Sequence, residues 1–158
     1  MTATAHALVA GAIASKFPDP TVAATLALSS HFIMDTIPHW DVGTNWRNRP
    51  KYVTGILAIA ETLTGIVVGL LVYNQHAPIQ TLLIAIIFSI LPDWLEAPWY
   101  IFFATPKHTA PSAHASLVEQ VSFWIYKGEN FFHTRAGFPL GVFTQIGTVA
   151  FFLILLKK

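Results

Sequence analysis

Between Ser30 and Asp41 the chain reads Ser-His-Phe-Ile-Met-Asp-Thr-Ile-Pro-His-Trp-Asp, placing four ligand-type side chains, His31, Asp35, His39 and Asp41, within eleven positions. His31 and Asp35 are four apart and share one helix face, the spacing that lets a single helix offer two ligands to one metal ion. Pro38 disfavours helix at Ile37. His39 and Asp41 therefore fall on the turn that follows, where an irregular backbone swings both back toward the same point. The sequence has no cysteine, so any metal is held by imidazole and carboxylate. Other candidates lie far apart: His6 among the small residues Ala3, Ala7, Ala10 and Gly11, Asp93 directly after Pro92, and His133 in Phe131-Phe132-His133-Thr134-Arg135.

What makes these residues conspicuous is their background. Of 158 residues 54% are hydrophobic, against nine Lys/Arg and eight Asp/Glu, far less charge than the roughly one quarter of a soluble domain. Intrinsic disorder is excluded by the same composition, and a net charge of +1 gives no reason to expect a nucleic-acid partner. Five of the eight acids (Asp35, Asp41, Glu61, Asp93, Glu96) sit inside or at the ends of apolar segments. Each would cost about 2.5 to 3.5 kcal/mol facing lipid. The basic residues lie in loops, which leaves histidine and bound metal as the partners that offset that cost. His76, His108 and His114 read as solvated loop residues, and Lys107, Lys127 and Glu129 as exposed surface.

The elements that must position these groups are helical. The reading is a single all-α integral membrane domain over 1–158, with about three transmembrane helices, an N-terminal short helical hairpin and an interfacial helix. Residues 52–73 contain one charge, Glu61, and are long enough for a hydrocarbon core of roughly 30 Å. Residues 78–104 form a second span that bends or restarts near Pro92. Residues 137–156 carry no charge and stop at Lys157-Lys158. The first 41 residues form the hairpin, with apolar stretches 3–17 and 21–37 broken by Pro18-Asp19-Pro20. Ser112 to Tyr126 is the interfacial candidate. Gly65-x-x-x-Gly69 and Gly137-x-x-x-Gly141 permit close helix contact. Trp40, Trp46 and Tyr52, with Trp94, Trp99 and Tyr100, read as an interfacial belt, and Arg47, Arg49, Lys51, Lys107, Lys127 and Arg135 place the hairpin and the 105–136 segment on the cytoplasmic side. Lys157-Lys158 then falls outside, against that rule.

The run Thr4-Ala5-His6-Ala7-Leu8-Val9-Ala10-Gly11, followed by Ser30-His31-Phe32 through Asp35, Pro38-His39-Trp40-Asp41 and Leu91-Pro92-Asp93, resembles the YdjM-like small bacterial inner-membrane proteins, described as membrane-bound metal-dependent hydrolases. The resemblance covers the first 41 residues well and the Pro92-Asp93 region more loosely. It implies that His6, His31, Asp35 and Asp93 belong to a metal centre. The later motif departs, since that family commonly carries His-Arg-Gly-x-Thr-His-Ser where this chain has His133-Thr134-Arg135.

Residues and resemblance lead to one expectation: a metallohydrolase with a divalent metal, zinc as one or two ions, at the cytoplasmic interface of the inner membrane. His6, His31, Asp35, Asp93 and His133 are the ligands, with one Asp bridging, and His39 or Asp41 completes a second site. Glu61 serves as base or orients a ligand histidine. The partner is the lipid bilayer, with a lipid or other amphiphilic ester or phosphoester as substrate. Two alternatives stay open: a metal or proton carrier lined by the same residues, and a non-catalytic membrane interaction protein. The sequence leaves the oligomeric state undetermined.

Overall fold

The computed structural model describes residues 1–41, 49–105 and 107–157, and every regular element in it is helical: α1 (Ala3–Lys16), α2 (Pro20–Asp35), α3 (Lys51–Tyr73), α4 (Ile79–Pro98) continuing into a π-helical turn (Trp99–Phe103), α5 (Leu117–Phe132) and α6 (Leu140–Leu156). Trp46, Arg47 and Lys158 lie outside the described residues.

The hairpin helix α1 is the centre of the fold. Small or apolar side chains surround nearly its whole circumference, the pattern of a helix buried on all sides, and α2, α3, α4 and α6 all pack against it. Gly65 and Gly69 give α3 a flat face for it. A Cβ at Gly65 would lie 2.8 Å from the Ala3 carbonyl carbon, and one at Gly69 would lie 3.4 Å from Ala7 Cβ. The four N–H groups that a helix start leaves without intrahelical partners are all satisfied by side chains. Thr2 donates to Gln145 Oε1 (3.1 Å), Ala3 and Thr4 donate to the two oxygens of Glu61 (2.8 and 2.9 Å), and Ala5 donates to Thr2 Oγ1 (3.3 Å). Neighbouring helices thereby hold the segment that carries His6.

Two helical units are long and apolar enough to cross a membrane, α3 with 23 residues and Ile79–Phe103 with 25. Much of the apolar surface of α3 is exposed, including Ile56, Ile59, Leu63, Val67 and Leu71. The expected third span is shorter than the sequence implied. Helix α6 begins after Pro139 and has 17 residues, about 25 Å at helical rise. Helix α4 does not restart at Pro92, which is fully enclosed by its neighbours as the helix runs through. The irregularity comes after Pro98, where the ladder widens and Ala104 N–H donates to the Trp99 carbonyl (2.8 Å). Helix α5 starts at Leu117, five residues later than the expected stretch, because the Ser116 hydroxyl caps it by accepting from Glu119 N–H (3.2 Å). It runs on to Phe132, past the expected end at Tyr126. Trp99 is no belt residue: it is 1% exposed and packs edge-on against Phe123, ring centres 4.9 Å apart.

Candidate metal centre

Helix α2 ends at Asp35, and the extended chain after Pro38 is stitched to the connector between α5 and α6 by backbone hydrogen bonds. Thr134 N–H donates to Asp35 O (2.8 Å), His39 N–H to Thr134 O (3.1 Å), and Ala136 N–H to His39 O (2.7 Å). Gly141 admits this crossing, since a Cβ there would lie 2.6 Å from Trp40 N and 2.5 Å from Ala136 O. The pairing carries His39, Asp41, His133 and Arg135 to the end of α2, where His6 of α1 and Asp93 of α4 also arrive.

Two groups of side chains result, each with ligand atoms within 4.8 Å of one another: His6, His31 and Asp93, and Asp35, His39 and His133. Asp35 stands between them. Its oxygens lie 3.2 Å from His6 Nε2, 3.7 Å from His31 Nε2, 3.4 Å from His133 Nδ1 and 3.9 Å from His39 Nε2. His6 and His31 stack at 4.2 Å between ring centres. His6, His31, Asp35 and His39 are at most 2% exposed. The Met1 amine also contacts Asp35 Oδ1.

Hydrogen bonds decide which face each imidazole turns inward. The Ser89 carbonyl of α4 accepts from His31 Nδ1 (2.7 Å). His39 Nδ1 donates to the Ile37 carbonyl (2.8 Å). A carbonyl only accepts, so both rings carry the proton on Nδ1 and present an Nε2 lone pair to the cluster, the usual orientation of a metal-ligating histidine. Both nitrogens of fully buried His6 lack a hydrogen bond altogether, its approach to Asp35 being close but misdirected. Burial lowers His31 to about 4 and holds His6 and His133 below their ordinary values, so these rings are neutral and available as ligands at pH 7. Lone pairs converging on a buried carboxylate repel one another unless a cation lies among them, and a single ammonium cannot meet all of them. The donor set fits a divalent metal.

Asp41 sits behind this set. His133 Nε2 donates to its Oδ2 (2.6 Å), and His39 Nε2 is 3.6 Å away. Burial pushes Asp41 up, but the hydrogen bond from His133 and the neighbouring His39 together outweigh it and leave the carboxyl well below the usual range. Such a carboxylate fixes the ring it holds and turns His133 Nδ1 toward Asp35. Glu61 belongs to neither group; it holds the start of α1 and lines a cavity of about 230 Å³ that Asp41, Asp93, His133 and Arg135 also line. That cavity lies between α3 and α4.

Two residues read as surface or left unused in the sequence belong here. Glu129, expected to be exposed, is half-buried, with Oε2 3.8 Å from His31 Nε2, and burial followed by the charge of Asp35 pushes it up to about 7. The signal available for it was its four-residue spacing from His133, the same spacing as His31 to Asp35. Arg135 Nε lies 3.7 Å from Asp41 Oδ2. His76 and His114 are exposed as expected, whereas His108 is paired with Glu119 at 2.7 Å. Comparison with protein-family models, with curated proteins and with solved structures returns no match.

Proposed function

We propose that the protein is a membrane-bound hydrolase working through a dinuclear divalent-metal centre. His6, His31 and Asp93 would hold one ion and His39 and His133 the other, with Asp35 standing between the two groups. The observation that carries this reading is the ring of imidazole nitrogens around Asp35 at 3.2 to 3.9 Å, with His31 and His39 oriented by backbone carbonyls. Zinc suits a His and carboxylate set of this kind. A divalent metal there would supply Lewis-acid polarisation of a scissile ester or phosphoester and a water of lowered pKa. The protein's own residues have separate tasks. Asp41 keeps His133 in one tautomer, Ser89 and Ile37 do the same for His31 and His39, and the α3–α4 cavity admits the substrate.

The cavity is lined from both helices of spanning length, by apolar Gly55, Ala58, Ile59, Ala97 and Ile101 and by polar Asp41, Asp93, His133 and Arg135. That distribution favours an amphiphilic substrate, a lipid ester or phosphoester reached from the bilayer. The family likeness of the first 41 residues points the same way and supports placement in a bacterial inner membrane. The ligand set is gathered at one end of α2, while the middle of α1 is lined by alanine and valine, which favours a localised site over a conduction pathway. The test is metal analysis of the purified protein with matched variants. His31→Ala and Asp35→Ala are expected to lose most of the bound zinc while His76→Ala keeps it; equal metal in all three would overturn the assignment.

A further inference from the structure

Arg135 is a cation lining the cavity, two residues beyond His133, and it belongs to neither group of metal-ligand side chains. Its guanidinium is held from several sides: an Nη1 hydrogen donates to Asn130 Oδ1 (3.1 Å), the Tyr100 hydroxyl accepts a hydrogen bond from it, and Asp41 Oδ2 lies 3.7 Å from Nε. Tyr100 in turn donates to Glu96 Oε2 (3.3 Å). Nε itself is buried without an acceptor. Arg135 lines the same cavity as His133 and Asp93, and its Nε–H has no hydrogen-bond acceptor, Asp41 Oδ2 at 3.7 Å being an ion-pair partner too distant for one. Lys51, whose ammonium donates to the Ile101 carbonyl (3.0 Å), adds a second positive charge among the lining residues.

We propose that Arg135 is an oxyanion-binding residue that makes the substrate a lipid phosphoester rather than a carboxylic ester. The proposal rests on the metal reading, because without bound cations the carboxylates of Asp41, Asp93 and Glu96 on the same cavity would repel an anion. With cations in place, the chemistry of the two esters separates them. A phosphate monoester or diester has at least two non-bridging oxygens that share its negative charge, so when one met a metal ion another would remain for the guanidinium. A carboxylic ester has one carbonyl oxygen and no charge, and would leave Nε as unsatisfied as it is now. In the hydrolysis one water is consumed. Its oxygen bonds to phosphorus, the phosphorus–oxygen ester bond breaks, and a proton from the water leaves with the departing alcohol.

The test compares zinc-loaded wild-type protein, Arg135→Gln and Arg135→Lys in detergent micelles, with zinc content confirming in each that the centre is intact. The substrates are a dialkyl lipid phosphoester, a soluble nitrophenyl phosphoester and a nitrophenyl carboxylic ester of the same chain length, and binding of a non-hydrolysable lipid phosphonate is followed by calorimetry. Wild-type protein is expected to cleave the lipid phosphoester in preference to the other two. Arg135→Gln should lower kcat/KM for it and weaken phosphonate binding by about 10- to 100-fold, the range of one charge-assisted hydrogen bond. Arg135→Lys should recover only part of the loss, since the ammonium lacks the planar fork. Phosphonate binding that Arg135→Gln leaves unchanged, or preference for the carboxylic ester, overturns the proposal even if hydrolysis is seen. Preference for the soluble phosphoester overturns the lipid assignment alone. Arg135-dependent phosphonate binding by a protein that cleaves nothing keeps the anion subsite and overturns the hydrolase reading.

Discussion

Replacing Glu61 by Gln separates a chemical role from an architectural one. The Glu61 carboxylate presents one oxygen to Ala3 N–H at 2.8 Å and the other to Thr4 N–H at 2.9 Å, bridging α3 to the start of α1. Gln keeps one acceptor oxygen and turns an NH₂ toward the second donor, so one N–H is left unpaired in a partly buried place. A hydrogen bond to a charged group contributes about 1.5 to 3 kcal/mol and a neutral one about 0.5 to 1.5. Loss of one and weakening of the other therefore removes about 2 kcal/mol, and loss of a negative charge at a helix N-terminus adds up to about 1 kcal/mol. For a chain of this size a total of about 2 to 3 kcal/mol corresponds to a fall in Tm of about 5 to 10 °C. His6 lies two residues beyond Thr4 on the same helix, so zinc affinity should also fall, by less than in His31→Ala. Thermal unfolding in detergent followed by circular dichroism, with zinc titration of the folded protein, reads both effects. An unchanged Tm would refute the helix-holding role. Unchanged Tm with abolished hydrolysis would instead make Glu61 a participant in the chemistry.

Gly65→Ala should destabilise the protein by about 1 to 3 kcal/mol through overpacking against the Ala3 backbone. Gly55→Ala, where an added Cβ meets nothing within 4 Å, should be neutral or slightly stabilising; paired unfolding curves check the contrast. Asp41→Asn should leave the fold intact but weaken zinc binding about 10- to 100-fold by releasing His133 from its fixed orientation, as measured by competition with a chelating dye. Cysteines introduced singly at Lys51 and Lys107 should be labelled from one side of the membrane and one at Gln75 from the other. Labelling of Gln75 together with Lys51 would break the topology.

The helical class, the two long apolar segments and the ligand types were legible because each is a local property. Apolar runs, proline positions and the four-residue spacing of His31 and Asp35 are fixed by helix geometry, and an acid in an uncharged background stands out without reference to any partner. The Gly65-x-x-x-Gly69 face was legible for the same reason, although only the fold reveals that its occupant is α1. What the chain alone did not determine is who faces whom. His39, Asp41, His133 and Arg135 come together through backbone pairing of segments about 95 residues apart, a register no spacing rule encodes. Glu129 looked like surface because its own neighbours are polar, and it turns inward only because α5 packs on α4 and α2. Glu61 looked like intramembrane chemistry because a charge in a span is costly, but its partners are the N–H groups of a different helix. Local sequence thus determines the type of each group and the helix that carries it. The orientation of His31 and His133, the place of Asp35 between the two groups and the free N–H of Arg135 depend on partners distant in the chain, which only tertiary packing supplies.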